Sequence, residues 1–121
     1  MRIVYCHLIA DLWVDAPERL ERAEPLRRAL VAAAEGAGMT VLASPSHQFE
    51  PTGATVVLLV AQSHLAIHTW PEEGLACVDL MTCGDADPER VLEALREALP
   101  GEQQLVSVER RQTAPRRPVR S

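Results

Sequence analysis

The chain has 121 residues, 47% of them hydrophobic, and a formal net charge of −5. That length and apolar content describe one compact domain with a real core and exclude a largely disordered chain. The acidic balance argues against non-specific nucleic-acid binding, and no apolar run is long enough to span a bilayer, so neither nucleic acid nor membrane is expected as a partner. Three cysteines without scaffold spacing, and an N-terminus without signal-peptide shape, read as a cytoplasmic protein with reduced thiols.

Arg2 to Leu12 reads as a strand with apolar residues on both parities, as in a strand covered on both faces or one at an interface. His7 and Asp11 share one parity. Asp15-Ala16-Pro17-Glu18 starts a helical pattern, but Pro25 interrupts it. A short turn over Pro17–Leu20 is therefore expected, with the main helix from about Glu24. Leu26, Ala29, Leu30, Ala33 and Ala37 give that helix its apolar stripe, and Gly36 and Gly38 end it.

Met39 to Ala43 is a second strand. Ser44-Pro45-Ser46 bulges it or puts it at an edge, and it resumes through His47 and Phe49. Pro51-Thr52-Gly53 is a turn. Ala54 to Ala61 is a β-branched third strand, His64 to Thr69 a fourth, and Leu75 to Cys83 a fifth after the Trp70–Gly74 turn. Asp87 caps a second helix with Pro88 at its first position; Val91, Leu92, Leu95, Ala98 and Leu99 form its apolar face. Gln104 to Arg110 is a sixth strand.

The expected order is β-α-β-β-β-β-α-β. Hairpin-length connections make the sheet mainly antiparallel, and the fold class is α+β, a two-layer sandwich with two helices on one face. The other face needs cover, and a homodimer supplies it most economically. The domain is read as residues 1–111. Residues 112–121 form a basic, Pro-containing tail, continuous with a cluster of Arg110, Arg111, Arg116, Arg117 and Arg120 that reads as a solvated, frayed end.

The chemistry gathers in Ala61-Gln62-Ser63-His64-Leu65-Ala66-Ile67-His68-Thr69-Trp70-Pro71-Glu72. Ser63 is either a turn serine or a residue that acts on its own backbone. In the second reading its hydroxyl attacks the Gln62 carbonyl and shifts the peptide to an ester. Elimination of the Gln62 carboxylate and hydrolysis then turn Ser63 into a pyruvoyl group, a covalent electron sink. A strained peptide, a hydroxyl and a base suffice. His64 and His68 share a strand face; they are hydrogen-bonded structural residues, or His68 is that base. Cys83 is a small buried side chain, or a proton donor or nucleophile at a strand end. Cys77 is assigned to the core, and Cys6 has no role. Phe49 is core or a stacking platform, and Glu72 a solvated turn carboxylate or an acceptor for ligand hydroxyls. A zinc site from His64, His68, Cys77 and Cys83 lacks any C-x-x-C pairing, so no metal is expected.

The stretch Ser63 to Glu72 and the stretch Val78-Asp79-Leu80-Met81-Thr82-Cys83-Gly84 resemble the prokaryotic S-adenosylmethionine decarboxylase family, a pyruvoyl-dependent group of self-processing proenzymes. His47-Gln48-Phe49 through Gly53 and His7-Leu8-Ile9-Ala10 match more weakly, and only the basic tail lies outside. The resemblance implies that Ser63 becomes the pyruvoyl cofactor, that His68 and Thr55 assist processing at Gln62-Ser63, and that Cys83 protonates the substrate carbon after carbon dioxide leaves. It implies that Phe49 stacks on adenine and that Glu72 binds the ribose hydroxyls of a small-molecule substrate. It also implies a homodimer with active sites near the interface, and a product that donates aminopropyl groups in spermidine synthesis.

Three positions depart from the family pattern: Gln62 replaces a glutamate, Gln48 an arginine and Thr55 a serine. They leave two alternatives open. One is a pyruvoyl-dependent decarboxylase of ornithine, arginine or another amino compound; the other is an unprocessed, non-catalytic homologue that binds a nucleoside ligand or a partner subunit.

Overall fold

Alternating burial along the strands builds a sheet with one closed face and one open face. The computed structural model describes residues 5–111 and 117–119. Its strands are β1 (Tyr5–Val14), β2 (Val41–Ala43), β3 (Ser46–Gln48), β4 (Ala54–Val60), β5 (Ser63–Trp70), β6 (Leu75–Cys83) and β7 (Gly101–Arg111). Its helices are α1 (Ala23–Gly36) and α2 (Pro88–Ala98), with 3-10 turns at Pro17–Leu20 and Pro71–Glu73. The strand order is β2-β4-β5-β6-β1-β7, with β3 also paired to β4, and the pairings are antiparallel.

Leu8 and Leu12 of β1, Val56 and Leu58 of β4, Leu65 and Ile67 of β5, and Val78 and Leu80 of β6 share one face. They are buried against Leu26 and Leu30 of α1 and Val91 and Leu95 of α2. Each such side chain contributes about 1.5–3 kcal/mol of burial. The few aromatics leave this core to aliphatic residues, as the composition requires. The α+β two-layer architecture follows, with both helices on the same face.

Local chemistry explains the boundaries. Asp87 caps α2 by accepting from the Glu89 N–H at 2.9 Å, and Pro88 follows at the first helical position. Pro25 falls in the first turn of α1, where its missing N–H costs nothing. The expected second strand is two short ones, because Ser44-Pro45 interrupts the pairing and β2 and β3 bind separate stretches of β4. The last strand is longer than expected. It starts at Gly101, where an added Cβ would lie 1.8 Å from the Trp13 carbonyl oxygen, so the close approach to β1 requires glycine.

Arg110, as expected, and Arg111 belong to β7, opposite Cys6 and Tyr5, so these two arginines of the basic cluster are part of the sheet and not of a frayed end. Arg110 pairs with Glu89 of α2 at 2.9 Å, and the Arg111 guanidinium lies 5.9 Å from the Tyr5 ring centre. Of the tail expected at 112–121, residues 112–116 and 120–121 lie outside the described residues.

The open face carries the other parity: Tyr5, His7, Ile9 and Asp11 of β1, and Leu75, Cys77, Asp79 and Met81 of β6, all half-buried. Trp13 and Trp70 are 42% and 43% exposed at one end of it. Cys77 therefore leaves the core to which the sequence assigned it.

Candidate active site

The candidate residues fall into two groups at opposite ends of the sheet. The first is the hairpin between β4 and β5. Val60 pairs with Ser63, so Ala61 and Gln62 alone make the turn. Gln62 has φ +66°, a left-handed backbone that two-residue turns reserve for Gly or Asn. A side chain there costs about 1–3 kcal/mol, and this strain sits at the peptide bond that precedes Ser63. The Ser63 hydroxyl donates to the Met81 carbonyl of β6. The Cys83 thiol donates to Gln62 Oε1 at 3.5 Å. Gln62, Ser63 and Cys83 thus meet at one end.

The second group lines a cleft of ≈ 290 Å³ at the other end, formed by Phe49, Thr52, Gly53, Thr55, His68, Trp70 and Glu72, among others. Its volume is at the lower limit, roughly 300 Å³, of what a drug-sized ligand fills. Thr55 and His68 pair across β4 and β5, and Thr55 Oγ1 lies 3.0 Å from His68 Nδ1. The Phe49 ring is 48% exposed and packs edge-on to His47 with centroids 4.7 Å apart. Glu72 stands in the 3-10 turn behind Trp70. Thr69, whose side chain faces the core between His68 and Trp70, ties this end together: its hydroxyl donates to the Leu20 carbonyl at 2.8 Å and accepts from the Ala54 N–H at 2.9 Å.

The structure does not bring His68 to the Ser63 of its own chain. They lie five positions apart along an extended strand, roughly 16 Å at the rise of a β-strand. The two positions also differ in parity, so the strand does not give them a common face.

Between the two groups the open face carries polar contacts that the sequence reading left unassigned. His7 Nε2 lies 2.6 Å from Asp79 Oδ1, and His64 Nε2 lies 3.9 Å from the same oxygen. Cys77 donates to Asp11 at 3.3 Å; burial first, and then this carboxylate, push its thiol up to about 11. The shared parity of His7 and Asp11 was the available signal, and neither pairing partner was evident without the register. Among the described residues, no group of three or more His, Cys, Asp or Glu is placed to hold a metal ion, and no helix is long and apolar enough to cross a membrane.

Comparison with known proteins matches residues 6–112 to the family model described as S-adenosylmethionine decarboxylase. An S-adenosylmethionine decarboxylase proenzyme of Aquifex aeolicus is 48% identical over 79 residues, which cover 65% of this chain and 58% of that relative. A proenzyme of the same description from Parasynechococcus marenigrum is 43% identical over 108 residues, 88% of this chain and 84% of its own length. The crystal structure of the Aquifex aeolicus adenosylmethionine decarboxylase superposes with a TM-score of 0.85 at 35% identity, covering 99% of this chain and all of that one. A turn strained next to a serine, on a fold shared from end to end with such a structure, leads to one assignment: the chain belongs to the S-adenosylmethionine decarboxylase family.

Proposed function

We propose that the chain is a self-processing carboxy-lyase acting on S-adenosylmethionine, in which Ser63 cuts the chain behind Gln62 and becomes a pyruvoyl group. The observation that carries this reading is the hairpin turn. Gln62 is the one non-glycine residue with a positive φ among the described residues, and it immediately precedes the serine. Relatives bearing the name S-adenosylmethionine decarboxylase proenzyme support the substrate.

The Ser63 hydroxyl, oriented by the Met81 carbonyl, adds to the Gln62 carbonyl carbon. The C–N bond breaks as the ester C–O bond forms, and the freed nitrogen takes up a proton. Loss of the Ser63 α-hydrogen expels Gln62 as a carboxylate, and water then replaces the nitrogen, which leaves as ammonia. The acyl shift uses the backbone carbonyl of residue 62, so the shift itself needs no acid side chain there. The pyruvoyl group supplies the electron sink for loss of the substrate carboxylate. Cys83, parked on Gln62 before cleavage, delivers the proton to the substrate carbon. In the cleft, Phe49 offers its ring to adenine and Glu72 accepts from the ribose hydroxyls. Thr55 engages His68 Nδ1, which leaves Nε2 to move the proton.

A homodimer with a shared site belongs to the same reading. Its support is the roughly 16 Å between Ser63 and His68 along one strand, beyond the reach of a general base, together with the half-buried open face. A second copy related by a two-fold axis puts the His68 end of one chain against the Ser63 end of the other. A cytoplasmic location accompanies this reading, in keeping with three free cysteines.

The alternatives are not favoured. The change at position 48 suggested a different substrate, but Gln48 is absent from the cleft lining and its amide is engaged elsewhere. Carbon dioxide release from carboxyl-labelled S-adenosylmethionine, ornithine and arginine tests the proposal. Release from the first alone, lost in Ser63→Ala, is expected; release from ornithine or arginine alone, or undiminished release by Ser63→Ala, would overturn it.

A further inference from the structure

Gln48 ends β3 with its side-chain amide among three chain segments. Oε1 accepts from the Ala23 N–H, at the first residue of α1, at 2.7 Å. Nε2 lies 2.9 Å from each of the carbonyl oxygens of Glu21, Phe49 and Gly53. Two amide protons thus serve three acceptors, with one proton shared. The backbone closes the same loop: the Phe49 N–H donates to the Gly53 carbonyl at 2.8 Å, and the Gly53 N–H to the Glu21 carbonyl at 3.0 Å. Gln48 does not line the cleft, whereas Phe49, Thr52 and Gly53 do.

We infer that Gln48 is a positioning residue: by holding the carbonyls at both ends of the 49–53 loop against the start of α1, it sets where the Phe49 ring stands and thereby the affinity for the nucleoside part of the substrate. The identity of the ligand rests on the function proposed above; the coupling of Gln48 to Phe49 rests on the hydrogen bonds alone. A side chain without both an acceptor and donors cannot satisfy the helix N–H and the loop carbonyls together. A carboxylate keeps the first, where a helix N-terminus favours it, and loses the second.

Gln48→Glu and Gln48→Met are therefore compared with the wild-type full chain. The nucleoside probe is 5′-methylthioadenosine, titrated calorimetrically. Losing the loop bonds weakens its binding about five- to twentyfold, raises KM in step, and leaves kcat and the extent of self-cleavage within about twofold. In a Phe49→Ala background the same change at position 48 costs no further affinity, because it acts through the ring. Wild-type affinity in the folded Gln48→Glu protein, or an undiminished penalty without Phe49, would overturn the inference. Gln48→Met serves the same test if the carboxylate prevents folding. Phe49 is the sole phenylalanine, so incorporated fluorophenylalanine gives one fluorine resonance without any ligand. That resonance shifts or broadens in both variants; an unchanged resonance overturns the inference. Failure of the wild type to bind the nucleoside would instead overturn the substrate assignment, with the fluorine measurement still deciding the role of Gln48.

Discussion

Mixing two inactive variants tests whether the site is divided between chains. Ser63→Ala removes the hydroxyl from one end of the sheet, and His68→Ala removes the imidazole from the other. Along β5 these positions are five residues apart, roughly 16 Å, whereas a general base must come within about 3 Å of its proton or act through one water. A chain carrying both wild-type residues therefore cannot bring them together by itself. In a two-fold dimer each site takes Ser63 from one chain and His68 from the other. Random pairing of equal amounts of the two variants makes half of the dimers mixed, and each mixed dimer holds one intact site and one doubly defective site. Activity should return to about a quarter of the wild-type value, with cleavage confined to the chain that retains Ser63. Co-expression with distinguishable tags, followed by intact mass and carbon dioxide release, gives both readings. Absence of cleavage in the co-purified mixed dimer, or full cleavage of the His68→Ala chain expressed alone, would refute the shared site.

Two further outcomes follow from contacts around this site. Thr69→Val keeps the shape of a buried side chain but strands the Ala54 N–H and the Leu20 carbonyl. It should lower the unfolding free energy by about 2–4 kcal/mol in urea, with most of the loss restored by Thr69→Ser; a loss below about 0.5 kcal/mol would refute the role of this hydroxyl. Cys77 is held protonated by burial and by Asp11, its pKa raised from 9.0 to about 11. The unfolded chain then binds fewer protons than the folded one between these values, so the stability contributed by the neutral thiol is full below pH 9 and is lost as pH climbs through about 11. The thiolate absorbance difference between wild type and Cys77→Ser should titrate near the upper value and move down in Asp11→Asn; a midpoint at the ordinary thiol value would contradict the arrangement.

Much of the fold was legible because β6 alternates without interruption, Asp87-Pro88 is a strong helix start, and Pro25 is tolerated only in the first turn of α1. The break between β2 and β3 was less so: a Ser-Pro pair permits either a bulge or two strands, and pairing with β4 decided between them. Arg110 closed the expected last strand and was also counted with Arg111 in a basic cluster, and pairing with Cys6 and Tyr5 shows that both belong to the sheet. At the site, residue types were informative and relations were not. Ser63 and His68 stand close in sequence, yet an extended strand turns that closeness into separation. Gln48 read as the replacement of a family arginine that left the substrate open, whereas its amide is spent on the backbone. Cys77 read as core because a cysteine in a strand usually is, and only the register with Asp11 showed which face it takes.

The central claim is that the bond between Gln62 and Ser63 breaks without help from another protein. Intact-mass analysis of the purified full chain after prolonged incubation tests it most directly. Two fragments are expected, residues 1–62 and a fragment from position 63 whose N-terminus is a pyruvoyl group and resists Edman degradation, with the Ser63→Ala chain remaining whole. A wild-type chain that stays a single uncut species, or a Ser63→Ala chain cut at the same bond, would contradict it.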